Sequence, residues 1–283
     1  MALQVARSIE DVRSFLKPQR SAGKRIGFVP TMGALHEGHR SLMERARTDC
    51  DIVVVSIYVN PTQFGPGEDF ERYPRTFERD RKLCENAGVD LIFCPTNAMM
   101  YLDGYATYVV VERLSEPLCG RSRPTHFRGV ATVVLKLFNI VLPDIAYFGW
   151  KDAQQAIIIQ RMVADLNLPI AIVAVPTVRE TDGLAMSSRN QLLDPESRQQ
   201  APAIYAALEK ARAAFEEQGV NECAALTALI REHIASHTAG RIDYVELVSL
   251  DRLEPLDHVE PGNTLVAVAV YLGGARLIDN IRL

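Results

Sequence analysis

The sequence predicts an α/β fold: a doubly wound parallel sheet with helices on both faces, followed by a second, smaller α+β domain. Three observations carry this. Apolar runs rich in Val and Ile alternate with helix-period segments through the first two thirds of the chain. The runs are continuous rather than alternating, as at Ile52-Val53-Val54-Val55, which is the pattern of strands buried on both faces. After about Asn190 the order changes to helices first and strands last.

In chain order, the first domain has strands predicted over residues 25–29, 52–59, 91–94, 108–111, 145–149 and 170–175. Helices are predicted over 8–18, 38–49, 75–87, 127–141 and 152–166. In the second part Asp194-Pro195-Glu196 supplies a cap, a proline for the first turn and an early acid, so a helix starts there and runs over 196–218. Gly219 stops it, a second helix covers 222–237, and strands follow over 244–249, 264–271 and 275–279. A hinge is expected in 176–190, dividing the chain into domains 1–178 and 179–283.

Composition narrows the function. The net charge of −4 over 283 residues gives no electrostatic footprint for nucleic acid or an acidic membrane surface. The longest apolar runs, such as 51–59, are too short to span a bilayer, and the first residues lack a signal-peptide pattern. Five scattered cysteines without C-x-x-C spacing argue against zinc or a disulfide framework and for reduced thiols in a cytoplasm.

The chemistry concentrates at strand exits, where ligands bind in parallel sheets. The first exit carries Pro30-Thr31-Met32-Gly33-Ala34-Leu35-His36-Glu37-Gly38-His39 and leads into a helix. Helix N-terminal N–H groups favour an anion, and glycines let the backbone approach it. The two histidines are three apart, not the four of a zinc-protease helix. They read as phosphate partners or as ordinary buried histidines.

Asn60 and Gln63 follow the second strand; neutral amides there suit a carboxylate or hydroxyl better than a polyphosphate. Asp80, in the next helix, reads as a surface charge or as a group meeting a phosphate-bound metal. After the strand at 145–149 come Gly149, Trp150, Lys151, Asp152 and, one turn on, Gln155. Lys151 reads as a point charge for phosphate or as a solvated helix-start charge. Met186-Ser187-Ser188-Arg189, after Gly183, reads as a polar hinge or a mobile phosphate clamp.

The spacing of the His36/His39 turn and the Met186–Arg189 loop resembles the two signatures of adenylate-forming nucleotidyltransferases and class I aminoacyl-tRNA synthetases. Within that superfamily the chain is similar to the pantoate–β-alanine ligases (pantothenate synthetases) over 30–39, 60–65, 73–76, 126–130, 148–155 and 178–190. The resemblance implies a Rossmann-like sheet of the HIGH-type nucleotidyltransferase kind and a cytoplasmic homodimer. It implies a two-step ligation: pantoate attacks the α-phosphorus of ATP, giving pantoyl adenylate and pyrophosphate, and the amine of β-alanine displaces AMP.

Carried over by position, Met32, Gly33, His36, Gly38, His39, Gly149, Lys151, Asp152, Val178, Met186, Ser187, Ser188 and Arg189 would hold ATP. His39 would be the family's acid, with His36, Lys151, Ser187, Ser188 and Arg189 as its catalytic partners. Pro30, Met32, Asn60, Gln63 and Gln155 would bind pantoate, against an apolar wall of Val130, Val133 and Val134; Gln63 would also lie near β-alanine. Asp80 and Gln155 would approach Mg²⁺ on the phosphates. Trp150 departs from the family's usual polar residue, and reads as a stacking or packing aromatic.

The chemistry is consistent with this set. Pantoate's carboxylate is already a nucleophile at neutral pH, so adenylation needs charge neutralisation and in-line placement rather than a protein base. A loop over the water-labile mixed anhydride protects it. Other readings require other residues. A transferase passing AMP to a phosphorylated acceptor needs more cations than the Asn60/Gln63 exit offers. A tRNA synthetase fragment needs a basic surface, and a nucleotide-sensing scaffold predicts a broken histidine turn or a missing lysine.

Overall fold

The computed structural model of the protein describes residues 2–283. The chain runs β1 (Gln4–Ala6), α1 (Ile9–Ser21), β2 (Ile26–Thr31), α2 (Glu37–Asp49), β3 (Ile52–Ile57), α3 (Phe77–Asn86), β4 (Leu91–Phe93), α4 (Asn97–Met100), α5 (Cys119–Ser122) and α6 (His126–Val141). It continues through β5 (Ile145–Gly149), α7 (Ala153–Asp165), β6 (Ala171–Val175), α8 (Pro195–Gln200), α9 (Ala203–Gln218), α10 (Cys223–His237), β7 (Arg241–Ser249), β8 (Thr264–Leu272) and β9 (Ala275–Arg282). Two compact units result. Of the described residues, one comprises 2–115, 123–150 and 158–176, the other 116–122, 151–157 and 177–283.

The first unit is built on a parallel sheet in the order β1-β4-β3-β2-β5-β6. Val53, Val54 and Val55 are wholly buried, as their continuous apolar run requires of a strand covered on both faces. On one face Val29, Val53, Val55 and Tyr147 meet Leu42, Met43 and Ala46 of α2. On the other, Phe138 of α6 lies edge-on to Phe28 and Phe148, at centroid separations of 6.3 and 6.5 Å. Burying a Phe contributes about 1.5–3 kcal/mol, so these rings fasten α6 far more firmly than a surface ion pair would.

The chain leaves β2 for β3 on one side and later returns to β5 on the other, so the carboxyl end of β2 is a switch point where ligands bind. Pro30 is informative here. A proline in a central strand removes a ladder donor, yet β2 pairs with β5 only over Gly27 and Phe28. By Pro30 the β5 side no longer needs that N–H.

The second unit is the antiparallel sheet β7-β8-β9 covered by α9 and α10, with Leu208, Ile230, Val245, Val266 and Val268 in its core. Segment 116–122 is tied into it by side chains. Gln154 accepts the Cys119 N–H (3.1 Å) and donates to the Pro117 carbonyl (2.8 Å). Ser122 donates to Asp243 (2.7 Å), Arg121 pairs with Glu246, and Arg276 also holds Asp243.

Several expectations need correction. Residues 108–111 are not a strand: the Val109 N–H donates to the Thr132 hydroxyl of α6, Tyr108 and Val110 are exposed, and the edge beside β4 is taken by Gln4–Ala6, which the sequence reading missed. The helix expected over 196–218 is two, because Pro202 has no N–H to continue it. α1 continues past Pro18 to Ser21, with the reciprocal cap Ser8/Asp11 at its start. Asp80 is no surface charge but is 1% exposed. All five cysteines are free; four are buried and Cys94 is half-buried.

Candidate active site

The turn after β2 is held from behind. Thr31 donates to the Ser56 carbonyl (2.7 Å) and accepts the Gly33 N–H (3.2 Å). Gly33 and Ala34 are both left-handed, at φ of 83° and 50°, a conformation costing a non-glycine residue about 1–2 kcal/mol. Asp80 stabilises it: one carboxylate oxygen accepts the Ala34 N–H (3.0 Å), the other the Leu35 N–H (2.8 Å) and the Thr76 hydroxyl (3.1 Å). A Cβ on Gly33 would stand 3.1 Å from that carboxylate, so the approach suits glycine.

His36 then caps α2. Its Nδ1 accepts the Gly38 N–H (3.2 Å) while His39 Nδ1 accepts the His36 N–H (3.3 Å), a capping box made of two imidazoles with ring centroids 4.1 Å apart. With Nδ1 an acceptor in each ring, the neutral imidazole carries its proton on Nε2. The turn therefore presents donors, at a helix N-terminus, to an anion.

The exit from β3 is a short 3-10 turn, Pro61–Gln63, capped by Asn60. Asn60 is 1% exposed and fully employed. Its oxygen accepts the Thr62 N–H and hydroxyl and the Tyr101 phenol, and its NH₂ donates to Gln63 Oε1 (3.1 Å) and the Gly129 carbonyl (3.2 Å). Burial pushes the Tyr101 phenol up to about 12, so it stays a protonated donor to Asn60.

These bonds orient Gln63. Its oxygen is taken, and its NH₂ meets the Met32 sulfur at 3.2 Å, a weak acceptor that an oxygen ligand displaces easily. The Gln63 carbonyl accepts from His126 Nδ1 (2.9 Å) and from Arg123 (3.3 Å). Arg123 also pairs with Glu68, whose carboxyl burial would raise; the hydrogen bond and charge of Arg123 outweigh that and hold it below the usual range.

The backbone of this turn lies directly on α6. A Cβ on Gly129 would stand 2.3 Å from the Thr62 carbonyl oxygen and 2.6 Å from Gln63 Cα. Val130, Val133 and Val134 follow on α6 at the spacing that shares a helix face, all buried. Pro30 and Met32 are half-buried, and Gly149 ends β5 half-buried with open space where a Cβ would be.

The remaining candidates lie in the other unit. Lys151 and Asp152 form a 3-10 turn with Trp150 ahead of α7; the Lys151 ammonium is 3.9 Å from Asp152, and Gln155 is half-buried one turn on. Val178, Met186, Ser187, Ser188 and Arg189 belong to a hairpin and its exit. Arg179 bridges Ala185, the Met186 N–H donates to the Val178 carbonyl (3.0 Å), and the Ser187 hydroxyl accepts the Arg189 N–H (3.2 Å) to cap a 3-10 turn over Ser188–Leu192.

This segment is stapled down. Arg198 reaches Glu180 and Asp182 (both 2.6 Å), and Asn190 donates to Glu180 (2.9 Å) and the Ala185 carbonyl (3.1 Å). Burial raises the Asp182 carboxyl, but the bond and charge of Arg198 together with the Leu184 N–H outweigh this and keep it low. Movement of Ser187 to Arg189 therefore carries the hairpin with it.

The structure thus gathers Met32, Gly33, His36, Gly38, His39, Asn60, Gln63 and the α6 valines around the exits of β2 and β3, and Lys151, Asp152, Gln155 and the Val178–Arg189 group within the second unit. Sequence reasoning missed the turn-holding role of Asp80 and the close approach at Gly129. The signal for the latter was a lone glycine early in an otherwise strongly apolar helix. No group of three or more His, Cys, Asp or Glu side chains could hold a metal among the described residues, and the oxygens of Asp80 are occupied by N–H and hydroxyl donors. The residues present do not fit a protein-held Mg²⁺ site.

A parallel sheet with its switch point at a histidine-capped helix, joined to a small α+β unit bearing a Ser-Ser-Arg turn, defines an α/β nucleotide-activating enzyme of the adenylate-forming type. The family profile described as pantoate-beta-alanine ligase matches residues 4–282. The chain is 56% identical over 276 residues to the pantothenate synthetase of Pelotomaculum thermopropionicum, covering 98% of this chain and 97% of that one. The crystal structure of pantothenate synthetase from Thermus thermophilus superposes with a TM-score of 0.93 at 47% identity, covering 99% of both chains. That of pantoate-beta-alanine ligase from Francisella tularensis, complexed with beta-gamma ATP and beta-alanine, gives 0.81 at 34%, covering 99% and 98%. The chain belongs to the pantoate–β-alanine ligase family, and it is an ATP-dependent ligase of pantothenate biosynthesis.

Proposed function

We propose that the ligation is divided between the two groups of residues. The His36/His39 turn with Met32, Gly33 and Gly38, together with Gly149, Lys151, Asp152, Val178, Met186, Ser187, Ser188 and Arg189, binds ATP. His39, His36, Ser187 and Ser188 donate hydrogen bonds, and Lys151 and Arg189 supply positive charge, to stabilise the charge that develops as pyrophosphate leaves. Gln63 and Gln155 bind pantoate through amides that bring no negative charge to its carboxylate, with Pro30, Met32 and the wall of Val130, Val133 and Val134 around its dimethyl carbon. Asn60 acts through Gln63, since its own amide is fully employed. The β-alanine amine then attacks the activated carbonyl and AMP departs.

The observation that carries this reading is the reciprocal His36/His39 cap on a turn held by Asp80: it is built to offer N–H donors at the switch point. Mg²⁺ would arrive on the incoming nucleotide's phosphates, approached by Gln155, while the oxygens of Asp80 are taken up by the turn. Division into an ATP- and pantoate-binding domain (1–178) and a C-terminal lid (179–283) belongs to the same proposal. So does a cytoplasmic homodimer, supported by the free cysteines and by the exposed apolar side chains Leu102, Tyr108 and Val110. No helix among the described residues is long and apolar enough to cross a membrane.

Mixing the protein with ATP, Mg²⁺ and pantoate is expected to release pyrophosphate, and AMP is expected to be released only once β-alanine is added. Absence of both would end this reading.

Gly129→Ala tests the pantoate side. Its Cβ meets backbone, which cannot rotate away, so α6 and the 61–63 turn must separate. Overpacking of this kind costs about 1–3 kcal/mol. The thermal midpoint should fall and the KM for pantoate should rise while the KM for ATP holds; an unchanged pantoate KM would show that the contact does not place Gln63.

A further inference from the structure

We propose that Asp279 and Asn280, adjacent on β9, are positioning residues that set the spacing between Lys151 and the Ser187-Ser188-Arg189 turn. The inference rests on the assignment of both elements to ATP. The two side chains are 5% and 6% exposed in a strand otherwise built around Leu277, Ile281 and a buried apolar neighbour, β8. Polar groups are costly there unless bonded, and each of these holds one of the two elements.

Asn280 donates from its side-chain NH₂ to the Lys151 carbonyl at 3.0 Å. Asp279 accepts both fork nitrogens of Arg179, at 2.6 and 2.9 Å, and one of its oxygens also accepts the Asn280 backbone N–H (2.8 Å). Arg179 heads the hairpin that ends in Ser187. The same guanidinium donates to the Gly183 carbonyl (3.1 Å) across that hairpin and lies 3.4 Å from the Tyr205 ring centroid. Two successive residues of one strand thus hold the main chain at the lysine and the base of the serine turn. β9 is paired with β8 from Ala275 to Arg282, so it cannot slide without breaking the ladder.

This arrangement has a catalytic consequence. A lysine and a Ser-Ser-Arg turn neutralise one phosphate chain only if their separation is fixed, and a displacement of about 1 Å in such a site costs on the order of 10²-fold in rate. β9 supplies that fixed separation from the far end of the sequence, 129 positions after Lys151.

Asn280→Ala and Asp279→Asn in the full-length protein test this, with pyrophosphate release as the readout. Each should lower kcat/KM for ATP in adenylation by about tenfold while the KM for pantoate stays within about twofold. Asp279→Asn leaves the half-buried Arg179 guanidinium short of its charge partner. If that variant does not fold, Asn280→Ala, which removes one neutral bond, carries the test alone. A lower thermal midpoint with wild-type constants per folded molecule would overturn the proposal, and so would a pantoate KM rising in step with that for ATP. Lys151→Ala measured alongside separates the levels. If it adenylates normally, the assignment of Lys151 itself fails; if it is slow and Asn280→Ala is normal, only the role of β9 fails.

Discussion

Lys151→Ala should slow adenylate formation by about two to three orders of magnitude, the loss that follows removal of one charge stabiliser from a preorganised site. The reasoning starts from the reaction. Pantoate is already anionic, so the barrier lies in bringing a carboxylate to a polyanion and in the charge that develops as pyrophosphate leaves. An ammonium placed beside those oxygens, as proposed for Lys151, would act on both, and no other residue would need to move a proton first. The substitution is also unusually clean. Asn280 holds Lys151 by its carbonyl, so truncating the side chain leaves the main chain anchored.

His39→Ala is less clean, because His39 Nδ1 also accepts the His36 N–H at the start of α2. Losing a cap costs about 1 kcal/mol, so a slow His39 variant mixes lost charge stabilisation with a displaced helix. The decisive measurement is single-turnover pyrophosphate release with saturating ATP and pantoate. A Lys151→Ala rate close to wild type would falsify the ATP assignment of this turn.

The parts of the fold that were legible in the sequence are those written in local patterns. Continuous Val and Ile runs specify buried parallel strands because no polar alternative fits on either face. A Pro at the first turn and a Gly at the end mark helices because of backbone geometry alone. The 108–111 error has the same origin. Its β-branched and aromatic residues have strand propensity, but strand formation needs a free edge, and β1 occupies the edge beside β4. Likewise the helix over 196–218 was predicted through Pro202 because periodicity outweighed the missing N–H.

The candidate site was legible where it is proposed to rest on rare residue types at an exit: the histidines, Lys151, the Ser-Ser-Arg turn and the amide pair. What remained hidden were the residues that act on them from elsewhere in the chain. Asp80 lies 45 positions from the Leu35 N–H and 46 from the Ala34 N–H that it accepts. Asn280 lies 129 positions from Lys151. A single carboxylate in a helix or an Asp-Asn step in a last strand carries no local mark of its target, so Asp80 reads from sequence as a metal or solvent contact.

That difference makes Asp80 the second large test. Asp80→Ala leaves the Ala34 and Leu35 N–H groups without their acceptor in a site closed to water, at about 1–3 kcal/mol for each stranded donor. It also releases a left-handed Ala34 that the carboxylate had held in place. The sum is a large share of the roughly 5–15 kcal/mol that keeps a domain folded, so the alanine variant should be severely destabilised. Asp80→Asn is the informative partner. One amide oxygen still accepts, while the NH₂ now faces a backbone donor, so the turn should loosen without the unit unfolding. The thermal midpoint should fall and adenylation should slow through a raised KM for ATP, because His36 and His39 are displaced together with the turn. A metal-ligand role predicts a different pattern: a midpoint near wild type and a shift in the Mg²⁺ concentration needed for half-maximal rate. Measuring the midpoint and the Mg²⁺ titration on the same Asp80→Asn preparation decides between them, since a carboxylate whose oxygens already accept three donors has little left to offer a cation.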